Sequence, residues 1–378
     1  MILPVLLAGC VRAAAFTGDL PDALTQANYP GTAGKYTRSF ATSFDTVITL
    51  VAYTASEAEF IRYADAAEAL FLELHQLFDI YHEYPGLTNL MSVNRHAGQG
   101  PLKVDPRILD LIEFYQQHDP LAPGQVNAAL GPVLAIWHDH RLAAANGDAT
   151  VPDLTELQAA ARHTDPSVIR INRADSTLEL TDPQASLDVG AVAKGYATEL
   201  VARRLLTMGL KSGIISAGGS NIRLIGRPAD PTRSSFAVGI QNPFLAEAPP
   251  DAQSLADISA DIIETDDTSI ATSGDYQRYY SVDGIQYHHL IDPTTLMPAH
   301  YQRAVTIMTP DSALADYLST AVFLLPYATG RQLVESLPDC EALWIFQDGS
   351  LAATDGMEAV LRDKARGNAR VLAEAVRP

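Results

Sequence analysis

Residues 187–226 read LDVGAVAKGYATELVARRLLTMGLKSGIISAGGSNIRLIG. The stretch opens on an acid, Asp188, and a small-residue turn, Gly190-Ala191-Val192-Ala193. A helix then begins at Lys194 and Gly195. Ala197, Leu200, Val201, Leu205 and Met208 recur at the 3.6-residue period of one helix face. Gly209 stops the helix. Ile214-Ile215 reads as a short buried strand. A second glycine turn, Ala217-Gly218-Gly219-Ser220-Asn221, and an apolar strand, Ile222 to Ile225, follow. Helix and strand periods meet within this one stretch and alternate along the rest of the chain, so the fold mixes α and β.

Two small-residue turns flanking a helix suit an anion. Free N–H groups at a helix N-terminus point outward, and the helix dipole adds partial positive charge. Glycines used for geometry alone give the same pattern. Asp188 and Lys194 turn the reading towards a phosphate site, with Lys194 as the completing cation.

The chain has 378 residues, 47% of them hydrophobic, enough for one large domain or two ordinary ones. Its net charge of −19 argues against nucleic-acid binding, which needs clustered Lys and Arg. An anionic ligand must therefore be met by local glycine amides, one or two cations, or a metal. Cys10 and Cys340 are the only cysteines, which excludes a disulfide framework and a cysteine zinc site. No run approaches the roughly eighteen apolar residues of a membrane span.

Residues 1–10, MILPVLLAGC, end in Leu6-Leu7-Ala8-Gly9-Cys10, which resembles a bacterial lipoprotein box. That resemblance implies cleavage before Cys10 and lipid attachment there, with the protein held at an extracytoplasmic membrane face. The signal segment is short and lacks a preceding basic residue, so the true start is expected upstream. Residues 11–35 read as a flexible tether. Residues 36–378 read as the working domain.

Phe40 to Tyr53 alternates like a strand, and a long helix from about Ser56 to Tyr81 follows, with Ser56 as its cap. Tyr81, His82 and Tyr84 suit either surface packing or an aromatic wall for a planar ring. Helices are expected over Val104 to Gln117, Asn127 to His138 and Leu154 to Thr164. A hairpin is expected from Ile169-Arg170-Ile171 and Thr177 to Leu180. Phe236 to Ile240 reads as a strand, acidic Asp257 to Thr268 as a solvated loop or edge strand, and Thr272 to Tyr276 as a turn. Arg278 to Val282 and Ile285 to Leu290 read as a hairpin about Asp283-Gly284. Asp311 caps a helix that ends before Pro326. Asp316 and Thr320, four apart, share a face of it. A carboxylate and a hydroxyl side by side suit Mg2+, or a buried acid satisfied by its neighbour. Val334 to Leu351 reads as strands, and Met357 to Val376 as a peripheral helix.

Five blocks together resemble the ApbE family of FAD:protein FMN transferases, across about residues 38–353. They are Phe44-Asp45-Thr46; Thr88 to Asn94; Gly124 to Trp137; Asp188 to Tyr196 with Ala217-Gly218-Gly219; and a last set. That set comprises Thr272 to Tyr276, His289 to Pro293, and Ala315-Asp316 with Thr320. Four positions depart from the family pattern. Phe44 stands where many members have Met, Thr88-Asn89 replaces Ser-Glu, and Asn127 replaces a frequent Asp.

The resemblance implies a large α+β, T-fold-like unit with mixed β-sheets, flanking helices and FAD in a cleft. It implies Mg2+-dependent transfer of FMN from FAD to a Thr or Ser hydroxyl of an extracytoplasmic flavoprotein, with release of AMP. The alternatives are FAD hydrolysis to FMN and AMP, or FAD binding alone. Carried over, Asp188, Lys194, Gly218, Gly219, Ser273 and Gly274 contact FAD. Phe44, Tyr84 and Gln125-Val126-Asn127 border its rings. His289 lies by the phosphates, with Ile291 lining the pocket. The carbonyl of Ala191, with Asp316 and Thr320, holds the metal. His289, Asp316 and Lys194 are the catalytic candidates. His289 serves as acid or base or orients a phosphate oxygen, and Asp188 positions the ligand or activates the hydroxyl.

Overall fold

A computed structural model describes residues 25–28, 34–245 and 258–362. Cys10 and most of the expected tether lie outside the described residues, as do residues 363–378. Within the tether stretch, Thr25–Asn28 forms a strand paired with Gly34–Ser43. Among the described residues no helix is long and apolar enough to cross a membrane.

The chain's contacts group into two compact units, neither contiguous in sequence. The first comprises Met1–Leu72, Lys194–Gln277 and Tyr301–Pro378. It is built on a nine-stranded sheet. Its strands are Thr25–Asn28, Gly34–Ser43, Thr46–Thr54, Gly213–Ala217, Asn221–Ile225, Ser269–Gly274, Ala304–Thr309, Glu341–Ile345 and Leu351–Ala353, and they lie in chain order. Every ladder is antiparallel. The α+β class is as expected, but the sheet is antiparallel rather than mixed.

Two helices of this unit position functional residues. Ala193–Thr207 buries Ala197, Val201 and Leu205, and Gly209 ends it at φ 103°. Ser312–Phe323 is capped by Asp311, whose carboxylate accepts from the Ala313 and Leu314 N–H groups. Nearly all of its residues are buried, including the polar Ser312, Asp316, Ser319 and Thr320. The two helices meet at Gly195. A Cβ there would lie 2.4 Å from both Asp316 Cβ and the Ser312 carbonyl oxygen, so only glycine fits.

The second unit comprises Glu73–Ala193 and Arg278–His300. Its helices are Leu90–Arg95, Pro106–His118, Gly131–Ala145 and Leu154–Ala160. A three-stranded sheet and the hairpin Tyr279–Val282/Ile285–His288 complete it. Its core gathers Leu130, Val133, Leu157, Ile291 and Leu296 around Trp137, whose Nε1–H donates to the Leu296 carbonyl at 2.9 Å.

Several expectations are corrected. Phe40 to Tyr53 is two strands, because Phe44 and Asp45 turn at φ 56° and 49°. The helix expected to end near Trp137 runs to Ala145. Thr272 to Gly274 is strand, paired with Ala304 to Thr306, not turn. Of the loop and edge-strand readings for the acidic stretch, Ser259–Thr265 takes the second: it is a strand of a two-stranded sheet, with most of its residues buried. Val334 belongs to a helix, Tyr327–Glu335, ahead of the strands. Asp355–Val360 is the only described part of the expected terminal helix.

Candidate functional site

In the first unit the second glycine turn lies against the start of the helix Ala193–Thr207. Gly218 and Gly219 both have positive φ, 66° and 69°, and a Cβ on Gly218 would strike Thr46 Oγ1. This tight turn presents Ser220, and Lys194 Nζ donates to Ser220 Oγ at 2.7 Å. The lysine thus joins the helix start to the second turn. The next residue, Gly195, donates its N–H to Asp316 Oδ2 at 2.8 Å. One dipeptide at a helix N-terminus therefore holds both a glycine turn and a buried carboxylate.

Asp316 and Thr320 lie on one face of Ser312–Phe323, both largely buried. Ser273, from the strand Ser269–Gly274, places its hydroxyl 3.3 Å from Thr320 Oγ1 and 2.9 Å from Ser319 Oγ. Burial pushes the Asp316 carboxyl up, against the opposing pull of Lys194, the Gly195 N–H and the Asn221 side chain. The donors are one carboxylate and several hydroxyls, all hard oxygens. That set fits Mg2+, whose other ligands would be carbonyl, water or phosphate oxygens. Gly274 neighbours Ser273 in the same strand. Phe44 sits in the 44–45 turn with its ring edge-on to Phe71.

In the second unit the loop carrying Asp188 is pinned from two sides. Asn94 clamps Leu187 through both its amide nitrogen and oxygen, at 3.0 and 2.7 Å. The Asp188 N–H donates to the Ala128 carbonyl at 2.8 Å. The carboxylate then accepts from the Gly190 N–H at 2.8 Å, and Ala191 follows in the same turn. Burial raises the Asp188 carboxyl, although His138, Arg141 and Arg278 all pull it down.

His289 follows the hairpin. Its N–H donates to the Arg278 carbonyl at 3.1 Å, and its Nδ1 lies 3.2 Å from the same oxygen. A carbonyl only accepts, so Nδ1 carries the proton and Nε2 keeps its lone pair. Burial, Arg278, His288 and Arg141 hold the imidazole well below the ordinary histidine range.

Tyr84 is tied by its hydroxyl to buried Asp79 at 2.8 Å. Asp79 also accepts from the N–H groups of Tyr81 and His82 at 2.7 and 3.1 Å. Asn89 caps Leu90–Arg95 and donates its amide to the carbonyls of Gln76 and His82. Asn thus does a local structural task where the family pattern has Glu. Gln125 Oε1 is buried with no partner among the described residues, an acceptor free for a ligand donor. Val126 is buried, and Asn127 donates to the Thr164 carbonyl and caps Ala129. Ile291 lies in the Trp137 core.

Three residues beside Asp188 and His289 escape the sequence reading: His138, Arg141 and Arg278. The Trp137-His138-Asp139-His140-Arg141 run gives no motif. Only the helix running past Trp137 brings Arg141 to its place.

A family model described as the ApbE family matches residues 44–344. A FAD:protein FMN transferase of Treponema pallidum is 31% identical over 304 residues, covering 77% of this chain and 80% of that protein. One from Klebsiella pneumoniae is 26% identical over 290 residues, covering 74% and 83%. The crystal structure of the ApbE protein from Thermotoga maritima covers 86% of this chain and 99% of its own, with TM-score 0.74 and 23% identity. The flavin transferase ApbE from Vibrio cholerae has the same coverages, TM-score 0.68 and 22% identity. At these identities the two structures speak for the fold.

Proposed function

The chain belongs to the ApbE family, and from that premise we propose that it moves FMN from FAD onto a Thr or Ser hydroxyl of a protein, releasing AMP. The acceptor oxygen bonds to the phosphorus on the FMN side. The bond from that phosphorus to the bridging oxygen breaks, and AMP leaves on that oxygen. The hydroxyl proton goes to a base. His289 suits that task, because it is neutral and keeps the Nε2 lone pair.

Lys194 offers its charge to the diphosphate oxygens, alongside the N–H groups of the helix start. Asp316 and Thr320 are the residues of the first unit that would hold Mg2+. When bound, the ion neutralises charge on the diphosphate. Asp188 and the orphaned acceptor Gln125 Oε1 are positioned to take donors from the nucleotide. Anchoring at an extracytoplasmic membrane face through Cys10 is also proposed, on the lipoprotein box alone.

The observation that carries this reading is the Gly195–Asp316 contact at the helix start bearing Lys194. The test combines the protein, FAD, Mg2+ and a flavoprotein domain with an accessible Thr, read by intact mass. The acceptor should gain one FMN. The gain should disappear with Asp316→Ala or with chelator. FMN and AMP released without labelling would replace transfer by hydrolysis. Tight FAD binding with no turnover would leave binding alone.

A further inference from the structure

Arg38, Arg107, Arg173, Arg203, Arg303 and Arg331 all hold carboxylates within hydrogen-bonding distance. Arg141 and Arg278 make no ion pair among the described residues. Arg141 is partly buried, and its Nη2 donates instead to His138 Nδ1 at 2.9 Å. A guanidinium has no acceptor, so His138 Nδ1 must be unprotonated and brings no negative charge. His138 is itself covered by the Tyr81 ring, stacked at 4.9 Å.

The helix Gly131–Ala145 carries His138 and Arg141 three apart on one face, and it packs on the strand Tyr279–Val282 that Arg278 precedes. Arg278 holds His289 through its backbone carbonyl. Arg141 and Arg278 lie within electrostatic reach of each other, of Asp188 and of His289. Arg278 is exposed, whereas burying part of Arg141 without a counter-ion costs free energy that a bound anion would recover. Asp188 supplies one carboxylate for the two arginines, and a cationic excess is left in a chain of net charge −19.

We propose that Arg141 and Arg278 form a phosphoryl subsite that grips a phosphate of the flavin nucleotide beside Asp188 and His289. This rests on the flavin-transfer reading. A phosphate anion balances the excess of one charge, and its oxygens match guanidinium forks.

The test uses the full chain and the double variant Arg141→Gln/Arg278→Gln. Riboflavin, FMN, adenosine and AMP are each titrated by calorimetry. The wild type should bind one phosphorylated compound roughly tenfold better than its phosphate-free partner. The double variant should lose that preference while the phosphate-free compound binds as before. Whether FMN or AMP shows the loss identifies which phosphate is held. An unchanged preference, or equal loss for the phosphate-free partner, overturns the subsite. So does a rise confined to the KM of the acceptor protein, which would make the pair a reader of an acceptor carboxylate. A second arm needs no flavin: inorganic pyrophosphate with chelator should raise the melting temperature of the wild type more than that of the variant. If that difference holds while no flavin binds, the subsite stands and flavin transfer falls. If flavin transfer holds and the difference is absent, the subsite falls alone.

Discussion

His289 is the residue whose behaviour is most open to measurement. Burial and the cations Arg278 and Arg141 disfavour its imidazolium, so its folded value lies below the ordinary value of about 6.5. The unfolded chain then binds the extra proton between the two values. The stability this histidine contributes is full above about pH 6.5 and is lost as pH falls from there through the folded value. As the base it stays competent over the same window. The acid limb of kcat/KM should therefore fall below pH 6.5, and Arg278→Gln should move it upward. A limb at or above 6.5 in the wild type would remove His289 from the base's role. At this scale the family blocks made Asp188, Lys194, Asp316 and Thr320 legible. They did not reveal Asp79, Arg141 or Arg278. Asp79 matters through what it accepts, from Tyr81, His82 and Tyr84, and such partners are not visible in a residue's own type. Arg141 and Arg278 matter through what they lack.

The elements were legible where a period and a stop signal agreed. The helix Ala193–Thr207 had an apolar face and Gly209, and the Asp283-Gly284 hairpin had turn residues suited to positive φ. They were missed where packing overrode local preference. The helix Tyr327–Glu335 contains Gly330, a poor helix former, whose missing Cβ would come 2.9 Å from Val322 Cγ1. Close packing selects that glycine and hides the helix. The turn at Phe44-Asp45 was hidden in another way, because Phe44 does not favour the left-handed region both residues adopt. Such strain is tolerated where it serves a function, and Phe44 is one of the proposed flavin-bordering residues. Asp45 is exposed and makes no hydrogen bond or ion pair among the described residues. Asp45→Gly should then relieve about 1 kcal/mol and raise the melting temperature by a few degrees. Thermal unfolding followed by circular dichroism checks this. A lower melting temperature would mean that the aspartate stabilises the turn through its own side chain.

Across the whole molecule the nine-stranded sheet keeps chain order, yet its neighbours come from distant segments. Thr46–Thr54 pairs with Gly213–Ala217 only after the chain has passed through most of the second unit. A sequence scan finds some of these strands but not the interruption, since no composition shift marks where one unit hands over to the other. Each unit has its own core, and the chain's two tryptophans divide between them. Trp344 is fully buried in the first, and Trp137 sits in the second between Tyr280 and Tyr287. Trp344→Phe leaves Trp137 as the reporter, and Trp137→Phe leaves Trp344. The second unit is built from short helices, a three-stranded sheet and a two-stranded hairpin, whereas the first is built on the nine-stranded sheet with its buried helix. Units with fewer buried long-range contacts open at lower free energy. In urea the Trp137 emission should therefore shift at a concentration no higher than that which shifts Trp344. Coincident midpoints would mean one cooperative transition. Separated midpoints with Trp137 first would mean that the unit holding Asp188, His289 and the arginine pair can open while the Lys194–Asp316 site stays folded. Trp344 shifting first would contradict the ranking of the two cores, and with it the view that the long sheet is the stable frame on which the chemistry is mounted.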